Sequence, residues 1–459
     1  MVEPFATMTA PRTTPTLPWT WATRAGFAAY QIIAHLALPI LLALLVWRAR
    51  REPLYLANLR HRFGLVPRIA PGAIWVFAAS LGETRAVTPL LRELMARGHR
   101  IVLSHNAPAG LEEGRRQFGF ALAEGQMVQG YMPADLLWAV GIALRRMRPA
   151  LALVVESEVW PAHIVGCLRA RVPVVKVNAH LGERALLRDL GTRLGRLRLF
   201  FFQGFAMVLT KTPGHVARYV RAGVDPARIV QVGELKFDLP PRADLIARAA
   251  ALRPALSGTR GVWMIASSIE AEEEQLHSVL RVLHDRLSMP PLVVWAPRSP
   301  QRFDPIAQRL TRDGWRIARR STLFDAALQG TPPPDLDILL ADSLGEMDFS
   351  YALADVVFVG ATLADMGGHN VNEPLAHERP VVTGPSVFSI PSPADEATAC
   401  GAMQVCADAE ALADTLVALF SDATALAAFR TRTKGLTAHH LGAAVRSADA
   451  LIPLGVHRG

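Results

Sequence analysis

Residues 356–374 read VVFVGATLADMGGHNVNEP. The opening VVFVG is a short apolar run of the kind buried on both faces of a parallel sheet. Gly367 and Gly368 follow, and glycines allow a backbone to approach a ligand closely. The pattern predicts a helix beginning near Asn370. Free N–H groups at such a helix start, aided by its dipole, suit an anion. Glu373, three residues on, either takes ribose hydroxyls or caps the helix. No GxxxxGKS/T pattern is present and no GxGxxG opens a strand–helix unit, so neither a P-loop ATPase nor an NAD enzyme is supported.

Working outward, similar runs stand at 262–266, 292–296, 337–341 and 380–383, and earlier at 73–79, 100–105, 151–155, 173–177 and 205–210. Helix-like stretches such as 83–97 and 134–148 separate them. Apolar strands alternating with helices predict an α/β chain of two doubly wound, Rossmann-like halves. Residues 239–260, with Pro240, Pro241, Pro254 and Gly258, read as a linker, and 330–335 (GTPPPD) as a loop. The expected division is a tail and anchor helix over 1–51, one domain over 52–245 and a second over 246–459. In such folds ligands bind beyond the carboxyl ends of the strands, in the cleft that two such domains would face.

The chain has 459 residues and a net charge of +9, with only four lysines: 176, 211, 236 and 434. Residues 1–62 hold seven Arg and two Glu, so +5 of the excess lies near the N-terminus. The body shows no basic run along one face, which argues against a nucleic-acid protein. Three cysteines cannot form a disulfide framework, and the body reads as cytosolic. Mean hydropathy of +0.22 with 19% charged residues hints at membrane contact. Residues 25–47, AGFAAYQIIAHLALPILLALLVW, carry no formal charge, and Arg48, Arg50 and Arg51 follow at once. That pattern predicts an uncleaved anchor that spans the membrane with its basic flank in the cytoplasm. The alternative is a helix lying in the interface, and either way the arginines attract anionic phospholipid.

The residues after the strands carry the chemistry. After the first strand come Ser80, Gly82 and Glu83. They read either as an S-x-x-E capping box or as a tight turn at Gly82 that presents Glu83 as a general base. Glu156 and Trp160 follow the 151–155 run, as a solvated rim with a sideways tryptophan or as a polar or sugar contact. Ser267 follows 262–266. Arg298 and Arg302 follow 292–296, each suited to a phosphate or carboxylate, or to a surface salt bridge. Leu344, Gly345 and Glu346 follow 337–341.

Together these stretches resemble the 3-deoxy-D-manno-octulosonic acid (Kdo) transferases, GT-B glycosyltransferases of lipid A assembly. The matching segments are AASLGE (78–83), VESEVWP (155–161), VNAHLGERA (177–185), GELKFD (233–238), ASSIEAEE (266–273), APRSPQRF (296–303), ADSLGEM (341–347) and GGHNVNEP (367–374). The resemblance implies a transferase at the bacterial inner membrane, facing the cytoplasm. It implies CMP-Kdo as donor, a lipid A precursor such as lipid IVA as acceptor, an inverting single displacement, and neither metal nor other cofactor. Glu83 would be the base, with Ser80, Gly82, Glu156 and Trp160 on the acceptor side. Lys236, Ser267, Arg298, Leu344, Gly345, Glu346, Asn370 and Glu373 would bind the nucleotide sugar, with Gly367 and Gly368 as the phosphate loop. No oligomeric state is implied.

The chain departs from the family pattern at several places, among them Leu344 for the common Met and Gly360-Ala361 for a Gly-Ser, which loses a hydroxyl. Ser299 and Gln301 replace the His and Glu of PRHPERF, Ile269 stands for a His and His180 for an Arg. Rival readings are a GT-B enzyme with another nucleotide sugar or an epimerase activity, and an inactive membrane-anchored homologue.

Overall fold

The computed structural model describes residues 15–455, so the expected tail through residue 14 and the last four residues lie outside it. The chain divides into two compact units, Met1–Leu239 with His440–Gly459, and Pro240–His439.

The first unit holds seven strands: β1 Ile74–Phe77, β2 Ile101–His105, β3 Met127–Tyr131, β4 Leu151–Val155, β5 Val174–Ala179, β6 Met207–Thr210 and β7 Ile229–Gln231. They pair in the order β3-β2-β1-β4-β5-β6-β7, all parallel. Alternate residues point to opposite faces. Trp75, Phe77, Ala152 and Val154 enter one core, and Ile74, Val76, Leu151 and Leu153 the other. Both faces are apolar, which is why the strands read as unbroken apolar runs.

The second unit repeats the plan with β8 Val262–Ser268, β9 Leu292–Pro297, β10 Ile317–Arg319, β11 Ile338–Leu340, β12 Val356–Val359, β13 Val381–Thr383 and β14 Met403–Val405. Their order is β10-β11-β9-β8-β12-β13-β14, again parallel. The doubly wound α/β class is thus present twice. All ten strands expected from sequence are formed.

Two expectations need correction. Residues 239–260 are not a linker, because Ala243–Ser257 is a helix. Pro240 and Pro241 stand ahead of its first turn, where no backbone donor is needed, and Gly258 ends it at φ 56°. The second domain also does not run to residue 459, since residues from His440 onward pack on the first unit. Helix Ala443–Leu451 lays Ala444, Ala448 and Leu451 into the same core as Leu90, Leu91 and Leu94. Its start is capped by Asp238, which accepts from Gly442 N and Ala444 N at 2.6 Å each. The Phe237 and His440 rings stack at 4.8 Å.

The apolar N-terminal stretch forms one helix, Trp21–Ala49, long and apolar enough to cross a membrane.

Asp238→Ala leaves two N–H groups of a helix start without their charged acceptor. The expected loss is about 3 kcal/mol, with residues beyond 439 becoming protease-sensitive under native conditions. Urea unfolding with limited proteolysis measures both. Unchanged protection of this segment would mean that apolar packing alone holds it.

Candidate active site

Strand order reverses between β1 and β4 in the first sheet and between β8 and β12 in the second. Loops at such a switch point diverge and leave room for ligands.

At the first switch point, Ser80 caps helix Leu81–Ala96. Its Oγ accepts from Glu83 N at 3.2 Å, and Glu83 Oε2 accepts from Ser80 N at 3.0 Å. The capping box is therefore real, and it is also what fixes the Glu83 carboxylate. Glu83 is only 5% exposed. Burial first, then the charges of Glu158 and Glu156, raise its pKa to about 7, against N–H bonds from Ser80 and Ala79. The helix start alone would favour the ionised form, so burial and like charge win here.

Gly82 does not serve the turn as expected. It lies inside the helix without a positive φ, and a Cβ there would meet only Ser80 Oγ, at 3.8 Å.

Beyond β4, Glu156 takes φ 52°, a left-handed conformation held by its partners. Lys236 Nζ lies 2.9 Å and Lys211 Nζ 3.7 Å from its Oε1. Lys211 Nζ also meets Glu234 Oε2 at 2.8 Å, and Asn178 Nδ2 donates to Glu234 Oε1 at 2.8 Å. Burial alone would raise Glu156, yet Lys211 and Lys236 bring its pKa below the usual range. Burial works against the Lys236 ammonium, but Glu234 and Glu156 raise its pKa. Lys176, with no exposed surface, donates to Glu158 O at 2.6 Å. Burial, then Arg198, lowers its pKa to about 7. Trp160 packs sideways on the core, edge-on to His163 at 6.2 Å.

Sequence reasoning placed Glu156 and Lys236 but missed Lys176, Asn178, Lys211 and Glu234. These sit on β5 or after β6 and β7, so inspecting every strand end would have found three of them.

In the second unit, Ser267 takes φ 59° one residue before the end of β8, with a register shift between Ala266 and Ser268. The two arginines after β9 part company. Arg302 is bound by Glu270 at 2.9 Å and Glu273 at 2.6 Å. Exposed Arg298 has no ion pair among the described residues, and after burial its charge pushes the His369 pKa down. Ser299 Oγ donates to Gln301 Oε1. After β11, Leu344 is exposed and Gly345 takes φ 81°, whereas the Glu346 carboxylate is bound by Arg320 and by the Ser343 hydroxyl.

The Gly367-Gly368 loop differs from expectation. Both glycines have φ 85°, and side chains there would collide with Ser389 and Ile390 respectively. Their N–H groups are not free: Gly367 N donates to Ser386 Oγ at 2.9 Å, Gly368 N to Ala361 O at 2.8 Å and His369 N to Gly360 O at 3.1 Å. The expected helix begins later and is short, Asn372–Ala376. Its start is served by Asn370, whose Oδ1 accepts from Asn372 N at 3.0 Å while Nδ2 donates to Glu373 Oε1 at 3.1 Å. A nest of N–H groups does exist at Ala361, Thr362 and Leu363, but the Glu272 carboxylate fills it, at 2.7, 3.3 and 3.4 Å. Glu272 was missed because its side chain reaches across from the neighbouring helix. Among the described residues no three His, Cys, Asp or Glu side chains converge as metal ligands.

Residues 57–239 match the family described as 3-Deoxy-D-manno-octulosonic-acid transferase (kdotransferase). The chain is 36% identical over 397 residues to the 3-deoxy-D-manno-octulosonic acid transferase of Bordetella pertussis, covering 85% of this chain and 90% of that one. The Haemophilus influenzae protein of the same name is 28% identical, over 79% and 83%. UDP-GlcNAc 2-epimerase from Neisseria meningitidis bound to UDP-GlcNAc shares the fold at a TM-score of 0.56 and 12% identity, over 83% of this chain and 99% of that one. The glycotransferase of kitacinnamycin does so at 0.51 and 16%, over 84% and 100%. The chain belongs to the Kdo transferase family of glycosyltransferases, and its two units have the GT-B fold.

Glu83 costs stability where it is charged. The folded state keeps its proton to about pH 7, while the unfolded chain releases it near pH 4.5. Stability therefore falls as pH rises between those values. Glu83→Gln should be more stable than the parent by about 3 kcal/mol at pH 8 and equal to it near pH 4. Thermal unfolding across that range checks this, and a pH-independent difference would refute the raised pKa.

Proposed function

We propose that this family member transfers Kdo from CMP-Kdo to a hydroxyl of a lipid A precursor such as lipid IVA, by a single inverting displacement with Glu83 as general base. The observation that carries the reading is the capped, buried Glu83 carboxylate, whose pKa of about 7 suits a base at neutral pH.

In the proposed step the acceptor O–H gives its proton to Glu83. The oxygen bonds the anomeric carbon of Kdo as that carbon's bond to the CMP phosphate breaks, and CMP leaves from the opposite face. Arg298, with no carboxylate partner among the described residues, meets the departing phosphate or the Kdo carboxylate. Lys236, held charged by Glu156 and Glu234, adds a second cation near the donor. Positive charge from these side chains makes a metal or further cofactor unnecessary in this reading.

On the acceptor side we place Ser80, Gly82, Glu156 and Trp160. Gly82 keeps the helix start bare so that the acceptor hydroxyl can approach Glu83. On the donor side Leu344 offers an apolar contact to the base, and Gly345 turns the backbone beneath it. Ser267 and the pair Asn370–Glu373 complete the donor set, with Gly367 and Gly368 shaping the loop that carries that pair. Glu346, already bound by Arg320, serves through its backbone. We place the enzyme at the bacterial inner membrane, its units on the cytoplasmic side and its N-terminal helix as the anchor. Arg48, Arg50 and Arg51 support that side.

The test incubates the purified full chain with CMP-Kdo and lipid IVA and reads product mass. Addition of Kdo is expected, and no added mass would sink the proposal. Glu83→Ala should lower turnover by about 10²-fold or more while donor binding survives. Arg298→Ala should raise KM for CMP-Kdo by about 10-fold, the scale of one charge-assisted contact.

A further inference from the structure

Along the Trp21–Ala49 helix the covered residues include Phe27, Gln31, Ala34, Leu38, Leu42 and Leu45. Their spacing of three or four puts them on one face. Phe27 and Leu45, the two fully buried ones, stand five whole turns apart, about 27 Å. Over the first half of the helix the cover comes from distant parts of the first unit, and at the far end from the segment that follows the helix. The Phe27 ring lies 5.7 Å from that of Phe201, and Gly26 sits against Leu197. Gln31 Nε2 donates to Asp135 O at 3.1 Å and its Oε1 accepts from Leu137 N at 3.0 Å. Trp138 Nε1 donates to His35 Nε2 at 3.0 Å. At the far end Arg48 lies over the Tyr55 ring at 5.6 Å. The polar residues that interrupt the apolar run are therefore the ones that face the protein. On the opposite face Ile33, Leu36, Ile40 and Trp47 stand exposed.

A helix that crosses a bilayer leaves its cytoplasmic domain behind within a turn or two. This one is still bonded to the first unit at Gln31 and His35, about four turns before its basic end, and keeps one covered stripe from Phe27 to Leu45. We infer that the helix lies in the plane of an anionic phospholipid leaflet, with the Ile33–Trp47 face in the lipid and the first unit held flat against the surface. The inference rests on the membrane attachment proposed above and selects the interfacial form of it. The lipid-facing surface continues onto helices Glu183–Gly191 and Arg193–Phe202, where Leu187, Leu190 and Leu194 are exposed. Leu194 lies one turn from Leu197, the residue that meets Gly26. Exposed Arg188, Arg193 and Arg196 stand among these leucines, and Arg50 and Arg51 follow the N-terminal helix. Apolar side chains ringed by arginine suit an anionic interface.

The test places single spin labels through I33C, L36C, I40C and W47C in a C400S background, Cys167 and Cys406 being buried. The full chain is reconstituted with phosphatidylethanolamine–phosphatidylglycerol vesicles, and label depth is read by paramagnetic relaxation. An in-plane helix gives all four labels one shallow depth, about 5–10 Å below the headgroups. Depths graded over about 21 Å between residues 33 and 47 would show a spanning helix and overturn the inference while leaving attachment intact. Failure to bind vesicles at all would overturn both. Leu190→Ser with Leu194→Ser should weaken vesicle partitioning about 10-fold, and unchanged partitioning would remove these helices from the lipid-facing surface.

Discussion

A parallel sheet buried on both faces leaves charged side chains one place to gather, the carboxyl ends of its strands. In the first unit that constraint collects Glu83, Glu156, Lys211, Glu234 and Lys236 after β1, β4, β6 and β7. Their charges then have to be settled among themselves. Glu156 and Glu234 are matched by two ammoniums and stay ionised. Glu83 has no ion pair among the described residues, and burial, then the charges of Glu158 and Glu156, raises its pKa to about 7. One feature of the fold thus sorts neighbouring carboxylates into ion-paired anions and one, Glu83, whose pKa is raised.

The same geometry explains what could be read from sequence. All ten expected strands exist because each is apolar on both faces. The four that were missed, β3, β7, β10 and β14, are the four sheet edges. An edge strand is covered less completely, and β10 and β14 carry half-covered or exposed residues where a central strand carries buried ones. Ser80 and Glu83 were legible as a local pattern, and the capping box it spelled out is formed. After burial, the like charges that raise the Glu83 pKa come from Glu158 and Glu156, 75 and 73 positions away, which no local reading reaches. The second unit was less legible. Its glycines were placed correctly, but their N–H groups are engaged by residues near 386 and 360, and the nest that remains is filled by Glu272.

A compositional signal did point to the network. In a chain with 45 arginines, lysine occurs four times, and three of the four are Lys176, Lys211 and Lys236. A guanidinium is a broad planar fork, whereas an ammonium is a compact point charge. Lys211 touches two carboxylates with almost no exposed surface, and Lys176 lies 5.3 Å from the Phe205 ring with none. Three of the four lysines thus fall in or beside this one buried network.

The last helix of the chain completes the core of the first unit. Ala443, Ala444, Ala448 and Leu451 lie against Leu90, Leu91 and Leu94, and Asp238 caps their helix. The 200 residues of the second unit are thus an insertion between two parts of the first. During synthesis the second unit has all its residues once residue 439 has emerged. The first unit, though begun earlier, waits for the final stretch of polypeptide before its core can close. Nascent chains cut short between residues 439 and 443 therefore carry the whole second unit and an open first unit, with the leucines of Leu81–Ala96 facing water.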